Sequence, residues 1–256
     1  MSTKNERAAQ ARAQAQKQVA KKERTTTVVI VAVSLVVLAA FAGLVFFIVN
    51  SSKVPTMADV HKPAGSDLTG GIPIGASGVV GEDIDPDAIR VDLYLDFMCP
   101  ICKQFEAVNG GDLNELRESG DIVVYYHPIS ILDRASNGTE FSTRAANAAG
   151  VVADKAPESY LLFSDAMFAN QPAEGTNGLD DDAIAAIAVG AGVPSDVADG
   201  MKDGEFTKWV IAATDQASKD GMTGTPTVMV NGEILEQEQV AYFQEGALKE
   251  YLESLG

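Results

Sequence analysis

The longest apolar stretch of the chain lies near its N-terminus. Residues 28–49 form an uninterrupted run of twenty-two apolar or small residues without a charge. At about 1.5 Å per residue, a helix of this length would extend about 33 Å and could cross the hydrocarbon core of a bilayer. Ala40-Phe41-Ala42 would suit a cleaved signal peptide, but apolar residues continue to Val49 and signal peptides have shorter apolar regions. The sequence therefore predicts an uncleaved transmembrane anchor at residues 28–49.

The charges on either side of this run predict its orientation. Residues 1–24 hold seven Lys or Arg and two Glu, whereas Lys53 and Lys62 are the nearest cations after the run. Lys and Arg near a transmembrane helix are enriched on the cytoplasmic side. We therefore expect residues 1–27 to form a basic cytoplasmic tail and residues 51–256 to lie outside the cytoplasm, in a single-pass protein of the cell membrane.

The stretch after the predicted anchor shows no apolar period. Residues 50–71 contain Ser, Pro and Gly at irregular positions and are predicted to be a linker. The folded domain is predicted to span residues 72–256. Its first element is expected to be a weak strand at residues 72–80.

A strand–helix–strand pattern follows. Residues 90–97 (RVDLYLDF) and 121–127 (DIVVYYH) are short and rich in β-branched and aromatic residues, which is typical of strands. Residues 100–118 between them have helical character, with an expected interruption at residues 109–111 (Asn-Gly-Gly). Because a helix that connects two strands of one sheet returns the chain to a parallel neighbour, the pattern predicts a βαβ unit.

The pattern changes between residues 139 and 221, where helical segments predominate. The acidic run at residues 180–182 suits the positive N-terminal end of one of these helices. Residues 227–230 then return to a strand, residues 231–232 (Asn-Gly) signal a tight turn, and a last helix is predicted at residues 242–255. The chain is thus predicted to contain an α/β domain with an inserted helical subdomain, preceded by one N-terminal transmembrane helix.

The charge of the chain narrows the classes of function. The net charge is −17, and the residues after position 50 hold thirty-four Asp or Glu against twelve Lys or Arg. Such an acidic surface repels phosphate backbones, so we do not expect nucleic-acid binding. The Gly-rich stretches lack the strand–GxGxxG–helix setting of flavin or nicotinamide sites, and no cofactor is expected.

The only two cysteines, Cys99 and Cys102, lie three positions apart at the first strand-to-helix junction. Pro100 suits the first helical turn, so Cys99 is expected at the helix N-terminus, where free backbone N–H groups favour a thiolate. Cys102 follows one turn later on the same face. One cysteine can attack a substrate sulfur while the other resolves the mixed disulfide, which is the minimum requirement for thiol–disulfide exchange.

Three other uses of the cysteine pair stay open. A zinc site needs four ligands, and only His61 and His127 could join the two cysteines. A structural disulfide would close a very short loop and add little stability. The two cysteines could also be inert core residues. We favour redox chemistry over these alternatives.

A second motif supports the redox interpretation. GTPT at residues 224–227 precedes a predicted strand; alone, it indicates a turn, and the isomer of the Thr225–Pro226 bond is not fixed by sequence. Together with VDLYLDFMCPIC at residues 91–102 and the helical insertion, this motif resembles the DsbA-like branch of the thioredoxin superfamily. The resemblance covers about residues 72–256.

The resemblance implies a thioredoxin-like fold and a set of site residues. Pro226 would follow a cis peptide bond and face the cysteine pair, as a third catalytic residue beside Cys99 and Cys102. These two cysteines would form the redox-active disulfide, with Cys102 as the resolving cysteine and no metal. The Thr225 backbone would pair with an extended substrate chain. The residues expected to contact substrate are Thr225, Pro100 and Ile101.

Two positions depart from the family pattern. Ile101 stands where the best-known oxidases of the family carry His, which removes a cation from the thiolate and predicts a less oxidising disulfide. Leu93 stands where some members have an acidic residue. Asp96 lies closer to the cysteine pair. Two roles are open for it: a proton acceptor for the pair, or an ordinary strand-end or capping carboxylate. His127, at the end of the second strand, is interpreted as structural.

The sequence thus predicts an extracytoplasmic thiol–disulfide oxidoreductase that introduces disulfides into reduced secreted or cell-envelope proteins. A membrane redox partner would have to reoxidise it, and we expect the chain to act as a monomer. A disulfide reductase or thiol relay, for example in cytochrome c maturation, is the closest alternative. A non-catalytic chaperone or peptide-binding module on the same fold is another.

Overall fold

The computed structural model describes residues 54–256 continuously and, before them, residue 12 and residues 16–19, 21–22 and 33–46. Residues 33–46 are helical and their side chains are exposed. The predicted anchor at residues 28–49 extends beyond this helix on both sides, and the predicted tail at residues 1–27 falls largely outside the described residues. Within the described residues, no helix combines the length and the apolar character needed to span a membrane. The anchor stays a prediction.

A mixed five-stranded sheet lies at the centre of residues 54–256. Its strands are β1 (Ile72–Ile74), β2 (Ile89–Leu95), β3 (Ile122–Pro128), β4 (Thr227–Val230) and β5 (Glu233–Ile234). The spatial order is β1-β3-β2-β4-β5, in which β2 and β3 are parallel and every other pair is antiparallel. Tyr94 of β2 pairs with Thr227 of β4, so the end of β2 adjoins the start of β4.

Helix α1 (Pro100–Ser119) connects β2 to β3 and completes the predicted βαβ unit. The interruption expected at residues 109–111 is wrong, because the helix continues through the Asn-Gly-Gly segment. The buried Asn109 side chain donates hydrogen bonds from Nδ2 to the carbonyl oxygens of Phe105, at 3.0 Å, and Tyr242, at 2.8 Å. These contacts outweigh the low helix propensity of the segment.

The region between β3 and β4 is helical, as the sequence predicts. Its α-helices are α2 (Phe141–Lys155), α3 (Tyr160–Ala169), α4 (Asp181–Gly190), α5 (Ser195–Asp199) and α6 (Thr207–Lys219). Helix α2 is buried along most of its length and contacts both α3 and α6. Asp180, from the acidic run at residues 180–182, is the N-cap of α4 and accepts a hydrogen bond from the Ala183 N–H at 2.8 Å.

Two elements are shorter than predicted. The last helix, α7 (Ala247–Glu253), begins only after Gly246, whose φ of 78° lies outside the right-handed helical region. The strand expected at residues 72–80 ends at Ile74, after which the chain turns. Val80 then returns to form a single bridge with Ile74.

Residues 54–71, which the sequence assigns to the linker, contain neither helix nor strand but pack against the domain. Met57 is 7% exposed and is part of the main hydrophobic core. Asp67 accepts a hydrogen bond from Arg90 Nη2 at 2.9 Å, which ties this segment to β2. The compact unit that contains the sheet accordingly begins at Val54.

Replacing Asn109 by Ala should lower the free energy of unfolding by about 1–3 kcal/mol, because the buried Tyr242 carbonyl loses its donor. Equilibrium unfolding in urea measures this loss. Asn170→Ala is the matched control: Asn170 donates to the Ala166 carbonyl oxygen four residues earlier, as Asn109 does to Phe105, but it is exposed. The control should lose less than about 0.5 kcal/mol. Equal losses in the two variants would contradict the long-range role of Asn109.

Candidate active site

The two cysteines lie where β2 ends and α1 begins. Cys99 is the residue before the first helical position, which Pro100 occupies. The Cys99 N–H donates to the Asp96 carbonyl oxygen at 2.9 Å, and the Lys103 N–H donates to the Cys99 carbonyl oxygen at 3.3 Å. Cys102 follows one turn into the helix. The predicted placement of Cys99 at a helix N-terminus is confirmed.

Access to the cysteine pair is narrow. Both cysteines are free thiols; Cys99 is 6% exposed and Cys102 is fully buried. Neighbouring segments therefore cover most of Cys99. Ile101 is 46% exposed and Pro100 is also exposed, so both are available to a substrate.

The Thr225–Pro226 peptide bond is cis, as the resemblance implies. The two residues precede β4, whose start adjoins the end of β2. Cys99 Sγ lies 3.4 Å from the Thr225 carbonyl oxygen, to which the protonated thiol donates a hydrogen bond. The predicted contact between this peptide and the cysteine pair is confirmed.

The surroundings of Cys99 favour its thiolate. The pKa of Cys99 is lowered to about 6. A hydrogen bond with the Cys102 side chain is the largest cause; the Thr225 side chain and the backbone N–H groups of Cys102 and Ile101 also contribute, and burial opposes the shift. The helix N-terminus thus acts here through individual N–H donors close to the sulfur.

The surroundings of Cys102 favour its thiol. Burial has the largest effect and raises the pKa of Cys102 far above its usual value. The hydrogen bond with Cys99 and the charge of the Cys99 thiolate raise it further. The pair therefore holds one proton at neutral pH, on Cys102, and one negative charge, on Cys99.

Asp96 is buried directly before the motif. Its carboxylate accepts hydrogen bonds from the Met98 N–H at 2.8 Å and from the Leu132 N–H at 3.0 Å. Burial nevertheless raises the pKa of Asp96 to about 6. Through these bonds Asp96 connects the end of β2 to the loop after β3. Its role as a proton acceptor stays a prediction.

Gln171 is a site residue that the sequence analysis missed. It lies just beyond α3, and its Nε2 donates to the carbonyl oxygens of Phe97, at 3.0 Å, and Cys99, at 2.8 Å. Lys103 Nζ makes a second connection, to the Ala169 carbonyl oxygen at 3.3 Å. The end of α3 therefore holds the backbone on both sides of Cys99. One glutamine in a loop carries no periodic or motif signal that could have indicated this contact.

Glu106 is a second residue that the sequence analysis passed over. It lies one turn after Cys102 on α1, and its Oε1 is buried without a hydrogen-bond partner among the described residues. Burial, and then the nearby Asp165, raise the pKa of Glu106 to about 8. Its spacing from Cys102 on the helix was the available signal.

His127 belongs to a buried polar network on β2 and β3. Its Nε2 donates to Asp92 Oδ1 at 2.8 Å, and its ring stacks on Tyr94 with centroids 4.1 Å apart. Arg90 Nε donates to the other Asp92 oxygen at 2.7 Å. Burial alone would raise the pKa of Asp92, but these bonds outweigh it and lower the pKa. The contacts support the structural interpretation of His127.

The described residues offer no metal site around the cysteines, since no three His, Cys, Asp or Glu side chains are placed to share an ion. His127 is bound to Asp92, and His61 lies 3.4 Å from Glu205. The arrangement of Cys99 and Cys102 can carry out disulfide exchange at Cys99.

Alkylation of the reduced chain against pH should show Cys99 reacting with a midpoint at about pH 6, because its pKa is lowered to that value. Cys102 should react slowly throughout, since it is buried and its pKa is raised. Mass spectrometry of iodoacetamide-treated protein assigns the label. Cys99→Ser is the control that isolates Cys102; equal rates for the two thiols would contradict the assignment.

The lowered pKa of Cys99 also predicts how the stability of the reduced protein changes with pH. Between about pH 6 and the unfolded value of about 8.5, the unfolded state binds more protons at this site. The stabilisation is therefore complete above about pH 8.5 and is lost as the pH falls through about 6. Thermal unfolding under reductant should show the reduced chain gaining stability over Cys99→Ser as pH rises; a constant difference would refute the prediction.

A family model described as thioredoxin (Thioredoxin_4) matches residues 79–249 of the chain. Among curated proteins, the serine/threonine-protein kinase PknE of Mycobacterium tuberculosis is 32% identical over 98 residues. That match covers 37% of this chain and the chain spans only 17% of the kinase, so the kinase activity is not carried over.

Solved structures give longer matches. DsbA from Mycobacterium tuberculosis is 33% identical, with a TM-score of 0.56, over 65% of this chain and 85% of that protein. The disulfide bond oxidoreductase DsbG from the same organism is also 33% identical, with a TM-score of 0.56, over 65% of this chain and 80% of its own. The thiol-disulfide oxidoreductase MdbA from Actinomyces oris is 24% identical over 79% of this chain and 97% of its own, with a TM-score of 0.62, and supports the fold alone. With its cysteine pair in contact with the cis Thr225–Pro226 peptide, the chain belongs to the DsbA-like thiol–disulfide oxidoreductases of the thioredoxin family.

Proposed function

We propose that this chain is an oxidase that introduces disulfides into secreted or cell-envelope proteins. The observation that carries the proposal is the asymmetry of the two thiols: the pKa of Cys99 is lowered to about 6, whereas that of Cys102 is raised. Interactions that stabilise the Cys99 thiolate stabilise the reduced form of the protein. The corresponding disulfide is then a better oxidant.

In the oxidised protein, the Cys99–Cys102 disulfide accepts two electrons from a substrate dithiol. A substrate thiolate attacks Cys99 Sγ and forms a mixed disulfide, while Cys102 leaves as a thiolate and takes up a proton. The second substrate thiolate then attacks the substrate sulfur of the mixed disulfide. The substrate disulfide forms and Cys99 leaves as a thiolate. The low pKa of Cys99 makes it a good leaving group in this last step.

The opposite direction runs through the same steps in reverse. A reductase cycle needs Cys102 to lose its proton and attack the mixed disulfide on Cys99, so the raised pKa of Cys102 affects both directions and does not separate them. The lowered pKa of Cys99 favours the oxidase, because it stabilises the reduced form of the protein. Reduction remains the second candidate because Ile101 supplies no cation to the Cys99 thiolate, which makes the disulfide less oxidising than with a His at that position.

The sequence supports a location outside the cytoplasm, where disulfides persist. The apolar run at residues 28–49 and its basic flank suit a tether with the domain at residues 54–256 on the outer side. The cycle then requires a partner in the membrane that removes two electrons from the Cys99–Cys102 dithiol and restores the disulfide.

Redox equilibration of the full chain in detergent against glutathione tests the direction. The oxidase predicts a potential above that of thioredoxin, about −270 mV, and stoichiometric oxidation of a reduced two-cysteine peptide. Cys102→Ser should trap a mixed disulfide with a disulfide-bonded peptide, whereas the matched Cys99→Ser should not. A potential at or below −270 mV, roughly that of thioredoxin, would favour the reductase. Failure to exchange in either direction would favour a non-catalytic peptide-binding module.

A further inference from the structure

A pocket of about 270 Å³ opens beside Thr225–Pro226. Small-molecule sites usually measure about 300–1,000 Å³, so this volume lies near the lower end of that range and has room for one long side chain. Thr225 belongs both to the pocket wall and to the contact with Cys99, since its carbonyl oxygen lies 3.4 Å from the Cys99 sulfur. A peptide whose cysteine reaches Cys99 therefore passes the mouth of the pocket.

Three threonines line the pocket, and a hydrogen bond within its loop holds one of its sides in place. Thr223, Thr225 and Thr227 all line it. Thr227 Oγ1 donates to the Gly224 carbonyl oxygen at 2.7 Å, which holds the loop that forms one side. Of the described residues that line the pocket, Glu236 is the only charged one.

The Glu236 carboxylate is exposed and forms no ion pair with any residue from 54 to 256. Its charge acts on the pocket wall: after burial, the carboxylates of Glu236 and Glu238 contribute to raising the pKa of Tyr242, which also lines the pocket. A side chain that enters the pocket meets threonine side chains, the apolar side chains of Val228, Ile234 and Leu235, and the Glu236 carboxylate. Lys and Arg supply the complementary donors and charge.

We propose that this pocket selects substrates in which a Lys or Arg lies two residues from the reacting cysteine. The cation pairs with the Glu236 carboxylate while the backbone of the substrate passes Thr225. In an extended chain, side chains two positions apart are about 7 Å apart and point to the same side, which places the basic residue at the pocket when the cysteine is at Cys99. The inference rests on the proposed exchange at Cys99 and adds a preference among its substrates.

The test uses the oxidised full chain and four dithiol peptides that are otherwise identical. Three carry Lys, Gln or Glu two residues from one cysteine, and the fourth carries Lys six residues away. Stopped-flow oxidation of each peptide gives a second-order rate constant. An exposed ion pair corresponds to a factor of about 1.5–5, so we expect the near-Lys peptide to exceed the Gln peptide by that factor and the Glu peptide to be slowest.

Glu236→Gln should bring the ratio of near-Lys to Gln rates to about one. Glu250→Gln is the matched control, because it removes the same charge from an exposed position on α7 that does not line the pocket, and it should keep the ratio. A ratio that survives Glu236→Gln, or an equal advantage for the distant Lys, would overturn the pocket assignment. Equal rates for all peptides would refute the preference while leaving the exchange intact. A failure of every peptide to react would instead refute the proposed function.

Discussion

The contact between Cys99 Sγ and the Thr225 carbonyl oxygen, 3.4 Å apart, joins two segments that lie 126 positions apart in the chain. It can form only if the end of β2 adjoins the start of β4, which the pairing of Tyr94 with Thr227 ensures. The entire helical region between β3 and β4 must therefore leave the sheet and return without disturbing that pairing. The site exists because the sheet order β1-β3-β2-β4-β5 accommodates this insertion.

The helical region also takes part in the site. Gln171, just after α3, donates to the carbonyl oxygens of Phe97 and Cys99, so the backbone that positions the sulfur is held from the side of the insertion. Asp96 holds the same turn from the side of the sheet by accepting the Met98 and Leu132 N–H groups. The backbone N–H groups that stabilise the Cys99 thiolate are thus held in position by contacts from the sheet and from the helical region.

The elements that the sequence predicted correctly depend on residues that are close to one another in the chain. Short β-branched runs indicated β2 and β3, and Pro100 indicated the start of α1. The cis bond at Pro226 came only from the family resemblance, because an isolated x-Pro bond does not reveal its isomer. Features that depend on distant residues were missed: the continuity of α1 through residues 109–111 relies on the Tyr242 carbonyl, and the role of Gln171 relies on Cys99.

The small exposed surface of Cys99 limits which substrate cysteines can reach it. With 6% of Cys99 exposed and Cys102 fully buried, an incoming sulfur must be presented to a small part of the Cys99 surface. A cysteine in an extended segment can be presented in this way more readily than one held in the surface of a compact domain. For the proposed exchange, this geometry favours substrates whose cysteines still lie in unfolded segments.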